Sequence, residues 1–167
     1  MVNFSVIETP SGGQLLEYRT HEPTPIFTIG YEKRSVDDLI WLLQSSDVVR
    51  VIDVRLSPWS RRPDFSKKRL AAALDAAGIA YQHMGGLGNP SAIRDVYLAG
   101  DPETGHRLFR EHLSNGASAA VDDLVVVADS ERVALQCLER NPNRCHRSVV
   151  AAVAAESLPD EHPIYHL

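Results

Sequence analysis

Short apolar runs alternate along this chain with longer segments in which apolar residues recur at helical spacing. The apolar, β-branched runs predict buried strands over residues 26–29, 48–54, 79–84 and 132–137, and residues 163–167 predict a further strand at the sheet edge. The intervening segments predict helices over residues 35–46, 66–77 and 144–156, and a mostly helical stretch over 90–130. Strands that alternate with helices are typical of the α/β class. We therefore predict a mostly parallel central sheet of about five strands, flanked by helices.

Local signals refine the ends of these elements. Ser35 followed by Asp38 is a capping-box pattern that starts a helix, and Gly78 is a natural helix stop. The run Val125–Val127 has strand composition, but its position directly after residues 117–124 favours a helix. Residues 1–24 predict an irregular N-terminal extension that contains at most a short strand. The remaining residues, 25–167, form the single predicted domain.

Composition bounds the class of protein. The chain has 167 residues, of which 44% are hydrophobic and 23% charged, and these values fit one globular domain. No apolar run approaches the roughly 20 residues that span a bilayer, and residues 1–13 lack a signal-peptide pattern, so no membrane partner is expected. Two cysteines in a chain of this kind fit a reducing compartment, and we predict a cytoplasmic protein.

Positive charge is concentrated within an acidic chain. The net charge is −5, yet residues 50–69 carry seven Lys and Arg residues against two Asp residues. This concentration favours capture of a small anionic ligand over a long nucleic-acid face. The basic residues 67–69 are expected to lie on the solvated face of a helix. The arginines of the preceding loop are predicted to bind the ligand; they are Arg55, Arg61 and Arg62.

The predicted strand ends converge on one edge. In an open parallel sheet, ligands bind beyond the carboxyl ends of the strands. The residues that the strand ends deliver to this edge are Gly30, Tyr31, Asp53, Arg55 and Cys137, and the later loop adds Cys145, His146 and Arg147. Asp53 is either a structural residue that holds loop backbone N–H groups or orients an arginine, or the carboxylate that positions Arg55 for a bidentate grip on an oxyanion of the ligand. We predict one pocket at this edge.

The cysteines leave several alternatives open. A helix start and nearby arginines lower a thiol pKa, so Cys145 or Cys137 is a candidate thiolate nucleophile with His146 as the proton carrier. Both cysteines could instead be buried core residues or form a disulfide. A zinc site is a further alternative, but the adjacent Cys145 and His146 would have to bend onto one ion. We expect no metal and no cofactor.

Three motifs in a fixed order resemble a known family. The chain segments 28–31 (Thr-Ile-Gly-Tyr), 52–65 (from Ile-Asp-Val-Arg to Ser-Arg-Arg-Pro-Asp-Phe) and 137–147 (both cysteines, with Cys-His-Arg at the end) together resemble the domain-of-unknown-function family numbered 488, over about residues 25–167. The segment 31–33 departs from the small polar residues usual in that family. The resemblance implies a small cytoplasmic α/β domain and supplies no established reaction. A weaker likeness to rhodanese-like and cysteine-phosphatase domains is architectural only, because Arg144 lies seven residues after Cys137 instead of six and Pro142 interrupts the loop.

Two functions follow as hypotheses of different classes. The first is an anion-binding enzyme that uses a Cys thiolate and an arginine cluster on a small phosphate-, sulfur- or carboxylate-bearing substrate. The alternative is a non-catalytic domain that binds a nucleotide or nucleic acid, with Tyr31 and Trp59 as stacking residues. A scaffold domain whose cysteines belong to the core is the remaining interpretation. The sequence predicts neither the substrate nor the oligomeric state.

Overall fold

The computed structural model describes residues 3–8, 14–19 and 23–167. Its strands are β1 (Asn3–Glu8), β2 (Gln14–Arg19), β3 (Ile26–Gly30), β4 (Arg50–Asp53), β5 (Ala80–His83), β6 (Val133–Cys137) and β7 (Ile164–His166). Its helices are α1 (Val36–Ser45), α2 (Lys67–Ala76), α3 (Ser91–Leu98), α4 (Pro102–Gly116), α5 (Ser118–Ser130) and α6 (Arg147–Ser157). Within the described ranges, no helix combines the length and the hydropathy that a membrane crossing requires.

The central sheet has five strands in the order β5-β4-β6-β3-β7, and every neighbouring pair is parallel. This confirms the predicted α/β class and the parallel sheet. The middle strand β6 lies between β4 and β3, and its residue Cys137 is in register with Gly30 while Gln136 is in register with Asp53. The carboxyl ends of the three central strands therefore lie side by side.

Helices cover both faces of this sheet, which explains why the central strands β3 and β6 are buried over their whole length. On one face, α4, α5 and α6 pack on Ile52 and Leu135 and contribute residues such as Phe109 and Leu124. On the other face, α1 and α2 present pairs spaced four residues apart, Leu39 with Leu43 and Leu70 with Leu74. Such spacing places both members of a pair on the same helical stripe. The result is a helix–sheet–helix sandwich with a core on each side of the sheet.

The local signals at helix ends are confirmed. The Ser35 hydroxyl accepts from the Asp38 backbone N–H at 3.0 Å, and the Asp38 carboxylate accepts from the Ser35 N–H at 2.9 Å. Gly78 has a φ of 76° just past α2, in the left-handed region that glycine adopts without strain. Residues Val125–Val127 lie inside α5, as the sequence context predicted.

Two segments differ from the sequence expectation. The N-terminal extension contains two strands where we expected mostly irregular chain, because β1 and β2 pair with each other in an antiparallel sheet of their own. Helix α6 begins at Arg147, later than the predicted start at residue 144. Residues Pro142–Arg144 form a 3₁₀ turn, and Cys145 is extended, with φ −138° and ψ 138°. Cys145 thus precedes the helix and does not lie within it.

Gly30 allows two backbone segments to approach at the carboxyl edge of the sheet. A Cβ at this position would lie 1.9 Å from the carbonyl oxygen of Glu139 and 2.5 Å from its carbonyl carbon. Both atoms belong to the backbone, so no side-chain rotation can relieve the overlap. The loop after β6 reaches its place only because position 30 has no side chain.

Replacement of Gly30 with Ala is expected to destabilise the fold by about 1–3 kcal/mol, because the loop after β6 must move away from β3. Urea denaturation measures the loss. Gly116→Ala is the matched control, since a Cβ at the end of α4 would meet nothing closer than 3.8 Å. Equal stability of the two variants would contradict this account of Gly30.

Candidate functional site

A pocket of about 580 Å³ lies beyond the carboxyl ends of β3, β4 and β6. The loops after these strands form its floor and one wall, and helix α3 forms the opposite wall through Arg94, Tyr97 and Leu98. Both cysteines and His146 line the pocket. The structure thus brings together the three residues that the sequence nominated for chemistry.

The His146 ring lies between the two thiols. Its Nε2 is 3.0 Å from the carbonyl oxygen of Val54, and since a carbonyl can only accept, Nε2 carries the proton and donates. The other nitrogen, Nδ1, lies 3.9 Å from the Sγ of Cys137 and 3.9 Å from the Sγ of Cys145. The ring is therefore oriented by the end of β4 so that one nitrogen serves both sulfurs.

The pKa values of the two thiols are shifted in opposite directions. Burial raises the pKa of Cys145, but its contacts with Cys137 and His146, with the positive charges of His146 and Arg147, outweigh burial and hold that pKa well below its usual range. Contact with Cys145 and burial raise the pKa of Cys137 well above its usual range. Burial lowers the pKa of His146, and the contact with Cys145 more than reverses this. The favoured state is a Cys145 thiolate paired with a His146 imidazolium, beside a Cys137 thiol.

Glu139 adds a carboxylate to this group. The Cys137 thiol donates to Glu139 Oε2 at 3.3 Å. Burial and the charge of Cys145 raise the pKa of Glu139. A carboxylate in this environment is a stronger proton acceptor than one in water.

The same residues provide a set of metal-ligand atoms. The two Sγ atoms and one ring nitrogen of Cys137, Cys145 and His146 all lie within 4.8 Å of one another. The extended backbone of Cys145 and the helical backbone of His146 turn these adjacent side chains toward one point, which was the geometric requirement that the sequence left open. These are ligand types that zinc prefers, so the cluster could hold such an ion with one position facing the pocket.

The guanidinium of Arg55 is held by protein acceptors. Arg55 forms a two-pronged ion pair with Asp53, at 2.8 Å from Nε to Oδ1 and 2.6 Å from Nη2 to Oδ2. It also donates to Tyr31 Oη at 3.2 Å and to the Phe65 carbonyl at 3.0 Å. Tyr81 donates to the second Asp53 oxygen at 2.6 Å. Asp53 therefore orients Arg55, one of the two roles that the sequence suggested.

Burial lowers the pKa of Arg55, and the hydrogen bonds and charge of Asp53 outweigh burial and raise it overall. The guanidinium therefore remains charged, and its pairing with Asp53 fixes the loop after β4. One side of Arg55 still lines the pocket.

Arg147 is completely buried and acts as a clamp. It donates to Thr28 Oγ1 at 3.3 Å, to the Arg140 carbonyl at 3.1 Å and to the Glu139 carbonyl. These contacts join β3 to the loop after β6. Its charge acts on Cys145, but the pocket lining does not include it.

The remaining predicted residues lie at or outside the pocket margin. Arg62 donates to the Tyr31 carbonyl at 3.0 Å and lies over the Phe65 ring at 4.5 Å. Arg61 is exposed, and neither arginine lines the pocket. Tyr31 lines it, but one face of its ring stacks on Phe65 with centroids 4.3 Å apart. Gly30 lies where the backbone of the loop after β6 approaches β3, at Glu139.

Sequence reasoning missed two polar groups in the pocket wall. Asn89 and Tyr97 are each 7% exposed, and Asn89 Oδ1 and Tyr97 Oη have no hydrogen-bond partner among the residues that the structure describes. A buried polar atom without a partner is costly, and a ligand that supplies one recovers that cost. Asn89 ends the glycine-rich segment after β5, which was a weak signal, whereas nothing local marks Tyr97.

The pocket mouth combines apolar and charged side chains. Its apolar members are more than two-fifths exposed: Leu56 (54%), Trp59 (68%), Leu98 (74%) and Leu138 (43%). Exposed cations Arg94 and Arg144 lie beside them, together with the anion Glu32. The sequence did not nominate Arg94 or Arg144.

Comparison with known proteins gives one match. The family model described as domain of unknown function DUF488 matches residues 35–154. The chain belongs to the DUF488 family. The DUF488 match runs from the start of α1 to α6 and includes both cysteines and His146, while Gly30 and Tyr31 precede it. No curated protein and no solved structure matched the chain, so the likeness to rhodanese-like and phosphatase domains remains an analogy.

Asp53→Asn is expected to lower the free energy of unfolding by about 3–5 kcal/mol, because it leaves the Arg55 charge buried without its carboxylate. Chemical denaturation measures this loss. The control is Asp64→Asn, which breaks an exposed pair with Arg69 at 3.3 Å and should cost about 1 kcal/mol or less. If the two variants lose the same stability, Asp53 does not have the structural role described here.

Proposed function

We propose that this DUF488 chain is an enzyme that uses the Cys145 thiolate on a small substrate carrying a phosphate, sulfur or carboxylate group. The observation that carries the proposal is the position of His146, with Nδ1 at 3.9 Å from Cys145 Sγ and Nε2 fixed on the Val54 carbonyl. A nucleophile, an oriented base and a pocket of about 580 Å³ are the parts that covalent catalysis requires.

The charge arrangement supports this assignment of roles. Cys145 attacks the electrophilic atom of the substrate as a thiolate, and the His146 imidazolium donates its proton to the leaving group. Arg147 favours the thiolate through its charge without entering the pocket. The start of α6 at Arg147 adds the positive end of a helix on the same side.

The substrate's anionic group is assigned to the exposed arginines of the mouth. Arg94 and Arg144 are exposed in the pocket lining, whereas Arg55 and Arg147 donate mainly to protein acceptors. Asn89 and Tyr97 offer unpaired polar atoms deeper in the pocket. Glu32 and Glu139 oppose a densely charged polymer, so one anionic group on a small molecule fits this lining better.

A nucleotide-binding domain without catalysis is the alternative. The exposed ring of Trp59 at the pocket mouth favours a planar group in the ligand. Tyr31, the second expected stacking residue, already has one face against Phe65. A binding domain has no need for a reactive thiol, so the reactivity of Cys145 separates the two functions.

The rate at which iodoacetamide alkylates Cys145 is expected to stay nearly constant between pH 8 and pH 6, because the lowered pKa of Cys145 keeps its thiolate populated. An ordinary thiol loses about tenfold in rate per pH unit over this range. His146→Asn should slow labelling at pH 6 by roughly 10-fold or more, as judged by peptide mapping. His112→Asn, on α4 and outside the pocket lining, is the control and should change nothing. Slow labelling with ordinary pH dependence would refute the nucleophile.

Comparison of an anionic with a neutral alkylating reagent tests whether the exposed arginines attract negative charge. Iodoacetate is an anion and iodoacetamide is neutral, so the ratio of their rates at Cys145, relative to free cysteine, reports the attraction of negative charge. The double variant that combines Arg94→Gln and Arg144→Gln should lower this ratio by about fivefold. This factor corresponds to the roughly 1 kcal/mol that an exposed charge contact contributes. Arg107→Gln, which removes an exposed partner of Glu111, is the control. An unchanged ratio in the double variant would exclude these arginines from anion binding.

A further inference from the structure

Cys137 and Glu139 have no role in a mechanism that needs only one nucleophile. Nevertheless, the Cys137 thiol donates to the Glu139 carboxylate at 3.3 Å and lies at the same 3.9 Å from His146 Nδ1 as Cys145. The two sulfurs lie within 4.8 Å of each other. Each thiol therefore has its own proton acceptor, His146 for Cys145 and Glu139 for Cys137.

We propose that Cys137 and Cys145 form a dithiol pair that reduces a small disulfide, with Cys145 as the attacking thiol, Cys137 as the resolving thiol and Glu139 as its base. This inference rests on the proposed function and names the substrate class of the same site. The anionic sulfur-bearing substrate is then a low-molecular-weight disulfide that carries carboxylates, which suits the exposed Arg94 and Arg144 at the mouth.

In the first step, the Cys145 thiolate attacks one sulfur of the substrate R–S–S–R′. A bond forms between Cys145 and the R sulfur, the substrate S–S bond breaks, and R′S⁻ leaves with the proton of His146. The protein then holds a mixed disulfide, and His146 is neutral, with its Nε2–H still donating to the Val54 carbonyl.

In the second step, Cys137 transfers its proton to Glu139 and attacks the Sγ of Cys145. The Cys137–Cys145 bond forms, the bond to R breaks, and RS⁻ leaves and takes the proton from Glu139. Two electrons have passed from the protein thiols to the substrate, which is released as two thiols. Two molecules of a small thiol, or one small dithiol, then supply two electrons, reduce the protein disulfide and leave as a disulfide, which completes the cycle.

The local structure is suited to this second step. A disulfide bond is about 2.0 Å long, so sulfurs within 4.8 Å need to approach by no more than about 3 Å. Cys145 is extended and directly precedes α6, so the two sulfurs belong to separate segments that meet at the pocket.

The test uses the reduced full chain with glutathione disulfide as the probe, and intact mass with peptide mapping as the readout. The wild-type chain should release two glutathione molecules and contain a Cys137–Cys145 bond. Cys137→Ser should stop at a glutathione adduct on Cys145, and Cys145→Ser should form adduct at pH 6 at least 10-fold more slowly. Glu139→Gln removes a negative charge from the pocket lining, so it should form the adduct at least as fast as wild type, and it should resolve the adduct about 100-fold more slowly. Glu111→Gln, an exposed helix substitution, should match wild type.

Thermal unfolding of each variant verifies that it folds, and the separate rates of adduct formation and resolution distinguish a chemical role of Glu139 from a structural one. A wild-type chain that stops at the mixed disulfide overturns the inference, and so does a Glu139→Gln variant that resolves the adduct at full speed. Stoichiometric zinc that protects both thiols from glutathione disulfide also overturns it. If Cys145 labels rapidly at pH 6 but no internal disulfide forms, the dithiol inference fails and the proposed function stands. If Cys145 labels slowly, both fail.

Discussion

The buried guanidinium of Arg147 is the contact on which the site depends. It has no exposed surface, it donates to Thr28 on β3 and to the carbonyls of Glu139 and Arg140, and its own backbone begins α6. A charge removed from water is tolerated only when its donors find acceptors, so the loop after β6 must lie where the guanidinium can reach it. Gly30 admits the same loop, because any Cβ there would overlap the Glu139 backbone. One cation thereby sets the distance between the end of β6 and the start of α6, and each segment carries one of the cysteines.

The end of β4 completes this frame from the other side. The Asp53–Arg55 ion pair fixes the course of the chain after the strand, and the carbonyl of Val54 between them accepts a hydrogen bond from His146 Nε2. Interactions that stabilise the fold and interactions that orient the site therefore share residues. The guanidinium groups of Arg55 and Arg147 therefore donate to protein acceptors, whereas Arg94 and Arg144 are the exposed arginines in the pocket lining.

Two chemically identical thiols acquire different properties from their neighbours. Cys145 lies beside His146 and the charge of Arg147, which favour its thiolate, whereas contact with Cys145 and burial, with the nearby carboxylate of Glu139, favour the thiol of Cys137. Both are nearly inaccessible to water, so these neighbouring charges act with little screening. The neighbours of the two sulfurs therefore shift the two pKa values in opposite directions.

The sequence by itself determined the α/β class, the parallel sheet and the edge at which the site lies, because apolar periodicity is local and strand ends in a parallel sheet meet at one edge. The same rule found Cys137, Cys145 and His146. Only the tertiary structure decided which way the arginines point, since a buried guanidinium is drawn to whichever acceptors the packed chain offers it. It alone brought Asn89 and the α3 residues Arg94 and Tyr97 to the pocket, because the docking of one helix against distant strand ends depends on the whole core and leaves no mark in neighbouring residues.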